Sequence, residues 1–257
     1  SDGTKVDIAI PQDAAEFLQI IINKMHDVEE LFCGSIVDIY EGIFVDFKTE
    51  NEELFTILDL DVQNIPSLYN SFEIFSQSVD LTGSNQLFDE KSGEKIDVKK
   101  YSKIKKAPPF LIIHLKRFES LDLERIGTKI DDIFEIPFEF DISPFSTQQF
   151  PIYRLTGVII HCGTSIDGHY ICLSLTKKGW IKIDDVNSSF IDQKDAIKLI
   201  EGGTNQGSAY ILFFTMDNDA IYPELEINPG LLEYAEKMNQ MNNQKRLFCS
   251  INYFNII

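Results

Sequence analysis

Hydrophobic and polar positions alternate along this chain in two distinct periods. From Pro11, "PQDAAEFLQIIINKMHDVEELF" places Ala14, Phe17, Leu18, Ile21, Met25 and Val28 at helical spacing. Pro11 near the start and Asp13 in the first turn suit a helix N-terminus. After Gly34 the period shortens. "GSIVDIYEGIFVDF" and "FTILDLDV" alternate apolar with polar, as half-buried strands do. "PSLYNSFEIFSQ" reads as a short helix. "PPFLIIHLKRFE" and "YRLTGVIIHC" read as buried strands, and "FEIPFEFDISPF" as strand and loop. "GHYICLSL" and "WIKIDD", joined by Lys177-Lys178-Gly179, predict a β-hairpin. "DQKDAIKLIEGG" predicts a helix closed by glycines, and "SAYILFFTM" the last core strand. Beyond it lie a polar helical segment, "PELEINPGLLEYAEKMNQMNNQKR", and an apolar strand-like end, "LFCSINYFNII".

With 257 residues, 44% of them apolar, the chain can bury a sizeable core. No apolar run approaches the roughly 20 residues that span a bilayer, and "SDGTKVDIAI" lacks the features of a signal peptide. The expectation is an intracellular protein, cytoplasmic or nuclear, or a fragment of one, with no membrane partner. The 23 basic and 41 acidic residues give a net charge of −18, which argues against nucleic acid as a partner. A basic protein or peptide suits this surface better, although acidity also serves solubility alone. The seven lysines between Lys91 and Lys106 read as a solvated face. Cys33, Cys162, Cys172 and Cys249 form no C-x-x-C pair, so neither a structural zinc site nor a secreted disulfide framework is expected.

Chemistry concentrates in the predicted hairpin. If its turn is centred between Lys177 and Lys178, Leu175 faces Trp180 and Ile171 faces Asp184. His169, two residues along on the same face, is then a diagonal neighbour of Asp184, roughly 7–8 Å away at the backbone. An odd-numbered turn puts Asp185 there instead. A carboxylate on one ring nitrogen leaves the other free to take a proton from a nucleophile. Gly168 leaves room for a flat, extended substrate. From these residues alone two readings stay open, a catalytic base aimed by an acid and a strand-end histidine salt-bridged for stability. A metal site built on His161 and His169 lacks further ligands in good spacing, apart from Asp167.

Four blocks in order over residues 9–215 resemble the ubiquitin-specific proteases, the papain-like deubiquitinases: "PQDAAEFL", "PPFLIIHLKRF", "GHYICLSL…WIKIDDV" and "GSAYILFF", the last with Ser208 where the family often has Asn. The resemblance implies an α+β fold of thumb, fingers and palm with mostly antiparallel sheet, from which the N-terminal part of the thumb is missing. It implies a catalytic domain over 1–217, with a thumb remnant at 1–33, mainly fingers at 34–107 and palm at 108–217. Residues 218–257 would be a helix and tail leading out. By the same resemblance His169 is the general base, Asp184 orients it and Asp185 supports the site. Asp13 and Glu16 bind ubiquitin's basic tail, Arg117 and Phe118 line the tail's channel, and His161 and Tyr170 stand near its diglycine end. The loop between His161 and His169 matches a blocking loop, with Thr164 where an acid often stands. "LTGSNQLFDEKSGEKIDVKK" and the tail further resemble the herpesvirus-associated branch, which implies ubiquitin-like domains C-terminal to this chain.

The family's cysteine box and oxyanion-hole asparagine have no counterpart in this text, and none of the four cysteines begins a helix after a Gly-rich turn. The implied function is thiol-dependent hydrolysis of the (iso)peptide bond after ubiquitin's Gly-Gly end, without cofactor or metal. The nucleophile is expected upstream of this chain, so that the chain alone is inactive. Ubiquitin and ubiquitinated proteins are the implied partners. The alternative is a ubiquitin-binding scaffold of the same fold without chemistry.

Overall fold

The computed structural model describes residues 13–25, 29–118, 128–165, 167–203, 207–216 and 237. The chain divides into two compact units, 1–217 and 218–257. In the second, only Lys237, which is helical, is described; the polar helix and apolar tail read from the sequence otherwise lie outside the described residues. The first unit contains helices α1 (Ala14–Lys24), α2 (Leu68–Phe75) and α3 (Gln193–Glu201). Its strands are β1 (Gly34–Gly42), β2 (Lys48–Phe55), β3 (Leu58–Asp61), β4 (Val79–Leu81), β5 (Leu87–Asp89), β6 (Glu94–Ile96), β7 (Val98–Lys106), β8 (Phe110–Lys116), β9 (Glu139–Phe140), β10 (Tyr153–Gly163), β11 (Gly168–Thr176), β12 (Gly179–Asp184), β13 (Asn187–Ile191) and β14 (Ser208–Met216).

A four-stranded antiparallel sheet runs in the order β2-β1-β7-β4. Val37 and Ile39 of β1 and Val98 and Ile104 of β7 are buried, as the alternation predicts. All of β2 is exposed except its last residue, which is half-buried. Two lysines of the Lys-rich run form cross-strand pairs here, Lys100 with Asp38 at 2.7 Å and Lys105 with Glu52 at 2.6 Å.

The larger sheet runs β13-β12-β11-β10-β14-β8-β3, with β9 added beside β10. Every pairing in it is antiparallel except that of β3 with β8. An α+β fold with mostly antiparallel sheet is therefore what the sequence pattern builds. β14 is buried almost along its whole length because both faces of the sheet are covered. Part of the cover comes from α2 through Phe72, whose ring lies 4.9 Å from that of Phe140, which in turn lies 6.1 Å from Phe214. Helix α3 adds Ala196 and Ile200 and closes at Gly202, whose φ of 81° favours glycine.

Helix α1 covers Ile112, Tyr210 and Ile211 with Ile22, Leu18, Ala14 and Ala15. Phe17, Ile21 and Met25 share the helical spacing but are 60%, 39% and 40% exposed. Two apolar rows, each stepping by four residues, run along this helix, and the row of Ala14, Leu18 and Ile22 is the one that packs on the sheet. The helix also ends earlier than expected, at Lys24. Asp13 proves to be its N-cap rather than part of its first turn, its Oδ1 accepting from the amides of Ala15 at 2.7 Å and Glu16 at 3.1 Å. No helix among the described residues is long and apolar enough to cross a membrane.

Candidate active site

The β11–β12 hairpin turns on Lys177 and Lys178, with Thr176 opposite Gly179 and Leu175 opposite Trp180. This is the even-numbered alternative. The register brings Asp184, at the end of β12, beside the start of β11, and His169 Nε2 lies 2.8 Å from Asp184 Oδ1. Lys182, on the same face of β12, places its Nζ 3.4 Å from Asp184 Oδ2. The bond to His169, and then the charge of Lys182, hold the Asp184 carboxyl below the ordinary carboxylate range. With Nε2 donating to Asp184, the unprotonated Nδ1 is the nitrogen able to accept a proton.

Asp185 follows in a two-residue turn between Asp184 and Asn187 and adopts a left-handed φ of 52°. Its carboxylate joins the same group, since the oxygen and nitrogen ligand atoms of His169, Asp184 and Asp185 lie within 4.8 Å of one another. Among the described residues this is the group able to surround a metal ion, and His161 is not part of it.

His161 and Tyr170 face each other across β10 and β11. The His161 ring is 5% exposed, with the Phe118 ring 5.1 Å away edge-on and the Tyr170 ring 5.0 Å away. Tyr210 closes the cluster, 5.6 Å from Phe118 and 5.7 Å from Tyr170. Burial, and then the nearby charge of Lys129, hold the His161 imidazole below its ordinary value, so it is a neutral aromatic wall. Tyr210 donates its hydroxyl hydrogen to Asp13 Oδ2. Burial and this bond push its phenol well above the usual range. The cluster thus extends from β10 to the start of α1.

A groove of about 370 Å³ opens beside it, lined by Asp13, Ala15, Glu16, Gln19, Ile57, Asp59, His114 and Tyr210. Asp59 and His114 are a second acid–imidazole pair, 2.8 Å apart. The sequence reading did not single them out. They meet because β3 lies parallel to β8 with Asp59 opposite His114, a pairing that no local signal announces.

Arg117 is placed differently from its strand neighbour Phe118. It is fully buried. Its guanidinium donates to the carbonyl oxygens of Ala209 at 2.5 Å and Ile130 at 2.9 Å, and burial lowers its pKa to about 10. It braces the backbone at the start of β14 and at Ile130 from the interior. Of the described cysteines, Cys162 and Cys172 have thiols pushed up by burial. Cys33 is half-buried.

Residues 6–214 match the model of the family described as ubiquitin carboxyl-terminal hydrolase. Ubiquitin carboxyl-terminal hydrolase 5 of Schizosaccharomyces pombe is 33% identical over 190 residues, covering 71% of this chain and 16% of that protein. Ubiquitin carboxyl-terminal hydrolase 9X of Mus musculus is 30% identical over 229 residues, covering 71% of this chain and 9% of that protein. Among solved structures, the SAGA Ubp8/Sgf11/Sus1/Sgf73 DUB module bound to ubiquitin aldehyde superposes with a TM-score of 0.71 at 26% identity, over 81% of this chain and 50% of that one. The chain therefore spans a minor part of these curated relatives and half of the solved chain.

Proposed function

The chain belongs to the ubiquitin carboxyl-terminal hydrolase family, and from that membership we propose that it supplies the base, the orienting acid and the substrate channel of a deubiquitinase that cleaves after ubiquitin's C-terminal Gly-Gly. The observation that carries this reading is the His169–Asp184 pair at 2.8 Å. His169 Nδ1 takes the proton of a cysteine thiol, and the thiolate attacks the carbonyl carbon of the terminal glycine. The imidazolium, steadied by Asp184 and supported by Asp185, returns the proton to the leaving amine. Water then hydrolyses the thioester, with His169 again as base.

In this reading the nucleophile comes from a segment preceding Ser1. Cys162 and Cys172 are poor candidates, because burial raises the pKa of their thiols. Helix α1 supports the same assignment. Phe17, Ile20, Ile21 and Met25 leave an apolar row on its outer side, which a packed segment carrying the cysteine would cover. Phe118, His161, Tyr170 and Tyr210 form the wall along which the diglycine backbone lies in this proposal. Asp13 and Glu16, in the groove beside them, take the basic side chains of the tail. The thumb remnant, fingers and palm keep the ranges 1–33, 34–107 and 108–217, and residues 218–257 lead out of the domain. Kinship with the herpesvirus-associated branch and ubiquitin-like domains further along belong to the same proposal and rest on the text of residues 81–100 and of the tail; an intracellular setting belongs to it as well and rests on cysteines that form no secreted framework.

The second reading, a scaffold that binds ubiquitin without cleaving it, is favoured by the raised pKa of the thiols just described. Ubiquitin carrying a C-terminal electrophile separates the two. A covalent adduct on the full-length protein, lost in His169→Ala, is the outcome expected of the enzyme. Saturable binding with no adduct establishes the scaffold, and neither binding nor adduct overturns both.

A further inference from the structure

The side chain of Lys129 is only 4% exposed, and a lysine is almost never buried unless its ammonium is paired. Its Nζ lies 2.7 Å from Asp131 Oδ1 and donates to the carbonyl oxygens of His161 at 3.0 Å and Gly163 at 3.2 Å. An ammonium has three N–H groups and no acceptor, so these three partners use it completely. Asp131 is anchored in turn. Ser208 Oγ donates to its Oδ1 at 3.1 Å, and its backbone carbonyl accepts from Gly203 at 3.0 Å.

The two carbonyls lie two residues apart at the end of β10. Strand β14 accompanies β10 only as far as Ser208, opposite His161, where β14 begins. Past that point β10 continues to Gly163 with β11 as its remaining strand partner. Lys129 thus takes up backbone acceptors just where a neighbouring strand stops offering donors. The end it holds is the loop end of the β10–β11 hairpin, in which Gly163 faces Gly168, Cys162 faces His169 and His161 faces Tyr170. Lys129 is itself tied to the strand beyond, since it forms a bridge with Phe118.

Granting the deubiquitinase reading, we propose that Lys129 is a positioning residue for substrate binding, which clamps the end of β10 so that the His161 wall stays at the spacing that admits a diglycine backbone. Its action falls on binding rather than on proton transfer, because His169 is aimed from the other side, by Asp184 on β12.

The test is steady-state hydrolysis of a fluorogenic ubiquitin C-terminal amide by the full-length protein, comparing wild type with Lys129→Met and Lys129→Arg. Amide hydrogen exchange over residues 159–171 gives a readout independent of activity. Lys129→Met is expected to raise KM about tenfold and to leave kcat within about twofold, with faster exchange at the loop end of the hairpin. Lys129→Arg, whose guanidinium can still donate to both carbonyls, is expected to recover most of the loss. An unchanged KM overturns the proposal, and so does a fall in kcat at constant KM, which is what a smaller folded fraction produces. If Lys129→Met does not fold, Asp131→Ala, which unpairs the ammonium, must raise KM in the same direction, and a wild-type KM there overturns the proposal. A wild type that binds ubiquitin without turnover rejects the deubiquitinase reading alone. The clamp is then judged by ubiquitin affinity, which Lys129→Met must weaken about tenfold. A wild type that neither binds nor cleaves ubiquitin overturns both.

Discussion

Gly168 stands so close to His161 that a Cβ built on it would lie 2.1 Å from the imidazole Nε2 and 2.7 Å from Cε1. The ring has nowhere to retreat, being 5% exposed and flanked by Phe118 and Tyr170. The glycine is required here by close approach. Gly168→Ala should therefore cost roughly 1–3 kcal/mol of stability, the usual range for overpacking, and, on the proposed function, weaken binding of the ubiquitin tail. Urea unfolding followed by Trp180 fluorescence measures the first effect. In a His161→Ala background the penalty should shrink toward zero. A full-sized penalty there means that the crowding lies elsewhere.

Asp184→Asn keeps the shape of the orienting group and removes its charge. On the proposed function, hydrolysis by the full-length protein should fall by about 10²–10⁴-fold, as for other imidazole bases that lose their acid. The pair is exposed to solvent, with side chains 48% and 38% accessible, so the melting temperature should not move. Rate and melting curve measured on the same preparation check both halves. A variant that cleaves at the wild-type rate removes Asp184 from the mechanism.

His161 ties stability to pH. Its folded pKa is depressed below the ordinary value of 6.5 by burial first and Lys129 second. The unfolded chain then binds this proton more readily than the folded one. Stability is full above the unfolded pKa and declines as pH falls through it toward the folded value. His161→Phe, which keeps a ring in the aromatic cluster, should flatten this decline. The check is the difference between wild-type and variant melting temperatures from pH 7.5 down to about 5. A constant difference over that range shows that His161 makes no contribution.

Asp13 serves two neighbours, as N-cap of α1 and as acceptor of the Tyr210 hydroxyl. Asp13→Ala should lose the cap, about 0.5–2 kcal/mol, and also strand the hydroxyl of the buried Tyr210. Asp13→Ser keeps a capping oxygen but is too short to serve Tyr210, so its stability should fall between those of wild type and Asp13→Ala. Chemical denaturation of the three proteins, with Tyr210→Phe as a fourth, gives the order. Equal losses for Ser and Ala mean that the cap carries no weight.

What was legible in the sequence was local. The apolar runs read as β8, β10 and β14 survive in the fold as buried strands because each packs its own side chains. The β11–β12 register followed from a two-residue turn, and with it the place of Asp184 beside His169. What was not legible depended on partners far along the chain. β2 and β13 lack an apolar face and exist because β1 and β12 offer backbone groups to pair with. The parallel pairing of β3 with β8, and hence Asp59 with His114, crosses more than fifty residues. Arg117 lies one residue before Phe118, yet one side chain enters the interior and the other joins the ring cluster. The buried ammonium of Lys129 depends on where β14 begins.

The exposed strand β2 ends its sheet with Lys48, Glu50, Glu52 and Glu53 in eight residues. An open edge invites a stranger's backbone to zip onto it, and desolvating those charges would oppose each added hydrogen bond. At high concentration this boundary should resist growth into fibrils, and replacing the three glutamates with threonine should make it the place where aggregation starts.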